Sequence, residues 1–85
     1  MHSKTKSNKN VLIKPQFIIE FLKEYQLSPT GLGRIIGVQS TTIDLWASGE
    51  RSVPETTGRL LLLFCRHPEL MDEFKDFSGT YTEVP

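Results

Sequence analysis

Phe17, Ile18, Phe21, Leu22 and Tyr25 repeat at helical spacing and form one apolar stripe, with Glu20, Lys23 and Glu24 on the wet side. Pro15 suits a first helical turn, where its missing N–H costs nothing, so the pattern predicts a helix from about Pro15 to Tyr25. A second helix is expected from about Pro29 to Ile36, with Ser28 as its N-cap and Leu32, Ile35 and Ile36 as its apolar face. Gly37-Val38 makes a turn. Gln39-Ser40 then opens a third helix, to about Ala47, which Ile43 and Trp46 anchor and Gly49 stops. The fourth, from about Pro54 to Arg66, contains the unbroken apolar run Leu60 to Cys65. A helix apolar all round must be covered on all sides, so the surplus points to a partner subunit. Pro68 opens a fifth helix to about Phe77, with Leu70, Met71, Phe74 and Phe77 as its stripe.

The third predicted helix leaves Gln39, Ser40, Thr41, Asp44 and Leu45 outward once Ile43 and Trp46 turn in. Short hydroxyls and an amide at a helix N-terminus reach both phosphates and base edges. Two helices at a steep angle, joined by a short turn, can project one of them into a DNA major groove. Gly31 and Gly33 each weaken the second helix by ~1 kcal/mol relative to Ala. They therefore predict close approach of a neighbouring helix or of a DNA backbone. The string Gly31-x-Gly33-x-x-x-Gly37 is not a nucleotide loop, because its last spacing is wrong and no strand precedes it.

Composition narrows the classes. A chain of 85 residues is one small domain. It buries only a little over ~60% of its unfolded surface, and self-association would help it. The longest apolar run falls far short of the ~18 residues of a membrane span. No apolar core follows the N-terminal lysines, so no secretory signal is expected, and the cytoplasm is the expected compartment. One cysteine excludes an intrachain disulfide and a cysteine-based zinc site. His2 and His67 make no metal spacing, and Cys65 and His67 diverge at a helix end without a third group. No enzyme, metal or cofactor is expected.

The zero net charge hides a split: nine Lys/Arg against five acids up to residue 66, then one against five. Such asymmetry fits a DNA face opposed to an acidic outer face. Residues 1–13 read as a basic flexible arm, 14–77 as the domain and 78–85 as a tail. The opening MHSKTKSNKN is either a solubilising tail or an arm whose Lys4, Lys6 and Lys9 follow phosphates.

With these elements placed, residues 17–74 resemble the Cro/phage-repressor helix-turn-helix family, the lambda-repressor-like fold. The matching skeleton is Leu27-Ser28, Leu32, Ile35-Ile36-Gly37-Val38, Thr42-Ile43, Trp46 and Ser48-Gly49. The later segment, Arg59-Leu60-Leu61 through Arg66-His67-Pro68-Glu69-Leu70, is similar to the end of single-domain members, several of them antitoxins. The resemblance implies an all-α, five-helix domain with a helix-turn-helix at helices two and three. By position, Ser40 and Thr41 would read base edges, with Asp44 and Leu45 near the groove and Gln39 at a phosphate or end base. Ser28, Arg34, Thr42 and Arg51 would hold phosphates together with Lys4, Lys6 and Lys9. A dimer contact would use Leu63, Leu70, Met71, Phe74 and Phe77.

Pro29 stands where many members place a phosphate-binding glutamine, and the recognition helix carries no Lys or Arg. Affinity must then come from flanking cations, while Asp44 accepts from a cytosine amino group or repels wrong sites. The expected function is a sequence-specific DNA-binding transcription regulator, a repressor of its own or a neighbouring promoter, binding an inverted repeat of double-stranded DNA as a homodimer. The competing reading is a protein-interaction module: an antitoxin-like chain that holds a toxin-like partner through its acidic fifth helix and tail, with DNA binding secondary or absent.

Overall fold

The computed structural model describes residues 12–75. Five helices follow in order: α1 (Pro15–Glu24), α2 (Pro29–Ile36), α3 (Ser40–Ser48), α4 (Glu55–Arg66) and α5 (Leu70–Lys75). No strand occurs among the described residues. The lysines of the expected arm (Lys4, Lys6, Lys9) and Phe77 lie outside the described residues.

Pro15 occupies the first turn of α1, after Lys14 in extended backbone. Ile18 and Phe21 turn into the core, and Phe17, Phe21 and Tyr25 run along one flank with ring centroids 5.9 and 4.8 Å apart. α1 ends one residue earlier than its stripe suggests. Gln26 takes φ of 54°, in the left-handed region, and the Leu27 N–H donates to the Leu22 carbonyl at 2.8 Å. This closure satisfies a terminal carbonyl that the helix itself cannot pair.

α2 packs against α3 and α5, and α3 also lies on α1. Ile18, Phe21, Leu32, Ile35, Ile43, Trp46, Leu61, Phe64 and Met71 form the core. No polar or charged residue is buried among the described ones. The one orphan in the core is the Trp46 indole N–H, which has no acceptor.

The sequence calls for α4 to be covered all round, and there the structure differs. Gly58, Leu61 and Phe64 face inward, three residues apart, while Leu62, Leu63 and Cys65 are exposed. Among the described residues, the core covers one side of that helix. Pro54 caps α4 from outside instead of starting it.

α5 also departs from expectation: Pro68 and Glu69 form a turn, and the described helix begins at Leu70. The expected dimer stripe is largely turned inward. Met71 is a core residue, Leu70 and Phe74 pack against the core, and the Phe74 ring meets Phe64 edge-on at 5.2 Å. Met71 is therefore corrected from interface to core, because the chain's own α5 closes over α2. Among the described residues of that set, Leu63 is the exposed one, at 42%. No helix among the described residues is long and apolar enough to cross a membrane.

Candidate nucleic-acid interface

Of the residues singled out for DNA, Arg34 stands just before the junction of α2 and α3, and Gln39, Ser40, Thr41 and Thr42 just after it. Ser28 lies at the start of α2 and Arg51 beyond the end of α3. Backbone chemistry fixes the junction. The Ser28 hydroxyl oxygen accepts from the Gly31 N–H at 2.9 Å and caps α2. At the other end the Gly33 carbonyl accepts twice, from Gly37 N–H at 2.7 Å and Val38 N–H at 3.0 Å. Gly37 takes φ of 81°, so the chain reverses over the last turn of α2. The reversal brings the Val38 carbonyl so close that a Cβ on Gly33 would overlap it. The close approach expected at both glycines occurs at Gly33, from the turn's own backbone and not from a neighbouring helix. It does not occur at Gly31, where a Cβ would meet only Ser28 and Leu27 at ordinary distance.

α3 then presents two sides. Ile43 and Trp46 are buried against the core. Gln39, Thr41 and Asp44 are exposed, and Ser40, Thr42 and Leu45 are half-buried. No side chain caps α3, so its first N–H groups are left to solvent or to an anion.

The far end of α3 is held by the Leu45 carbonyl, which accepts from the Ser48 hydroxyl at 3.1 Å and the Arg51 N–H at 3.2 Å. Gly49, at φ of 87°, makes the reversal, and the Ser48 hydroxyl also accepts from the Glu50 N–H at 3.3 Å. Arg51 is thereby fixed at the C-terminal end of α3 with its side chain exposed. Arg34, also exposed, stands on the last turn of α2.

One cation escaped the sequence reading. A Cβ on Gly49 would lie 3.3 Å from the Pro15 ring, so the start of α1 abuts the loop after α3. Lys14, exposed, is next to Pro15, and Arg51, also exposed, is two residues from Gly49. α1 also packs along α3, and no local motif carries either contact. Glu50, exposed in the same loop, sets a negative charge beside Arg51. The exposed groups are therefore mixed: Gln39, Thr41 and Asp44 on and just before α3, Arg34 on the last turn of α2, and Glu50 and Arg51 in the loop after α3.

Among the described residues no group of three His, Cys, Asp or Glu side chains is placed to hold a metal ion. The chain matches no family model, and no curated protein matches it.

Proposed function

We propose that this chain is a sequence-specific DNA-binding regulator of transcription, a repressor acting as a homodimer on an inverted repeat, with α2 and α3 as its helix-turn-helix. The observation that carries the reading is the outer side of α3. Gln39, Thr41 and Asp44 are exposed on a helix pinned from behind by Ile43 and Trp46. Those side chains have short polar tips suited to base edges, while Arg34, Arg51 and Lys14 supply the charge that phosphates require. Two copies would set their α3 helices in successive major grooves, ~34 Å apart.

The test is selection of bound sites from random duplexes, followed by gel-shift titration of variants on the winning sequence. Arg51→Ala, Arg34→Ala and Lys14→Ala should weaken binding to all sequences, each lowering the log–log salt slope by close to ~0.9. Thr41→Ala should instead change the preference among sequences. Equal, salt-insensitive retention of all four variants would refute the assignment.

A further inference from the structure

The described surface holds two recesses that meet on α4. The first, about 190 Å³, lies between α1 and α4 and is lined by Phe17, Phe21 and Tyr25, the carboxylates Glu20 and Glu24, and Cys65. The second, about 230 Å³, is lined by Arg59, Leu62, Leu63 and Arg66. That spacing is one helical stripe, on the side of α4 turned away from Leu61 and Phe64. Leu62 and Leu63 are 37% and 42% exposed there. Leu62 and Cys65 are one turn apart and so are neighbours on the helix surface. The two recesses therefore form one strip: an acidic, aromatic half, a seam at Cys65 and Leu62, and a basic, aliphatic half.

We infer that this strip is the contact face for a second copy of the chain. A two-fold contact must be self-complementary, each patch meeting the patch that its partner presents. A two-fold axis through the seam lays Glu20 and Glu24 of each copy against Arg59 and Arg66 of the other, and brings the two Leu62 side chains together. The simpler alternative, α4 packed antiparallel on its own copy about Leu62 and Leu63, would set Arg59 against the other copy's Arg66. Like charges oppose that arrangement. The acidic half on α1 removes the conflict. Within one chain Arg59 leans on Glu55 at 2.7 Å, a bond 60% and 37% exposed at its two ends and open to exchange for an intermolecular partner. The strip rests on the homodimer proposed above: a wild-type monomer sinks both, whereas a wild-type dimer indifferent to the charge changes sinks the strip and leaves the dimer standing.

The experiment is sedimentation velocity of the full chain over a concentration series, with two complementary variants. Glu20→Lys/Glu24→Lys makes both halves basic, and Arg59→Gln/Arg66→Glu makes both acidic. Each variant alone should dimerise at least about ten-fold more weakly than the wild type. Mixed in equal amounts they should regain most of the lost affinity, because one contact is then the wild-type pairing and the other is opposite-charged again through the Arg66→Glu change. Mild thiol oxidation should link wild-type dimers through Cys65, and Cys65→Ser should abolish the link. A wild-type chain that stays monomeric overturns the inference, as does a variant that dimerises unchanged or a mixture that does not recover. Wild-type dimers that fail to link through Cys65 overturn it too, and that arm does not depend on any variant folding.

Discussion

Two glycines stand two residues apart on α2, and alanine should do opposite things at them. At Gly33 the new Cβ would overlap the Val38 carbonyl, a backbone atom held by the turn's own hydrogen bonds and unable to swing aside. Overpacking of this kind costs ~1–3 kcal/mol. Loosening the two bonds to the Gly33 carbonyl adds about 1 kcal/mol each, and improved helix propensity returns only ~1 kcal/mol. The net expectation for Gly33→Ala is a loss of about 2–4 kcal/mol. At Gly31 the Cβ would sit 3.4 Å from the Ser28 hydroxyl and 3.6 Å from Leu27, which is ordinary contact. Gly31→Ala should therefore gain about 0.4–1 kcal/mol, chiefly by restricting the unfolded chain. In a domain of this size ~1 kcal/mol moves Tm by about 4–8 °C, so the two variants should melt on opposite sides of the wild type. Urea and thermal unfolding followed by far-ultraviolet circular dichroism measure both. A Gly33→Ala protein as stable as the wild type would refute the close-approach reasoning, and with it the account of how α3 is aimed.

Two further outcomes follow from α1. Gln26 occupies left-handed backbone without being glycine, so Gln26→Gly should stabilise the fold by about 1 kcal/mol in a urea titration; an unchanged midpoint would contradict the strain. The Tyr25 phenol is held above its ordinary value of 10.0, first by burial, then by the Cys65 thiol and Glu24 beside it. The unfolded chain therefore gives up that proton first. Stability from this group is full below pH 10 and is lost as pH climbs through the folded value. Thermal melts from about pH 9 upward should show the decline, and Tyr25→Phe should flatten it; parallel curves for the two proteins would contradict this.

The parts of the fold legible in the sequence are those governed by local chemistry. Ser28-Pro29 and Gly37 bound α2 as their cap and turn preferences dictate, and Gly49 ends α3 in left-handed backbone. The unread parts depend on tertiary partners. Nothing local marks Gln26 as the residue that ends α1, because its φ is imposed by the carbonyl closure behind it. Six apolar residues in a row on α4 hide which side is covered, and only the folded packing sorts Leu61 and Phe64 from Leu62 and Leu63. Met71 looked available for a dimer because periodicity places it on a stripe without saying whose core that stripe joins. The approach of Pro15 to Gly49, which sets Lys14 beside the loop after α3, was invisible because it spans more than thirty positions.

The single tryptophan of this chain is Trp46, 2% exposed on the rear of α3. Its placement gives the protein an internal optical gauge. Emission from that indole should sit at short wavelength while the helix is seated and move to the red when it lifts. A ligand gripping Gln39, Thr41 or Asp44 from outside cannot touch the ring. Any spectral change on titration would then measure a shift of α3 upon α1, separating mere occupancy of the surface from movement beneath it.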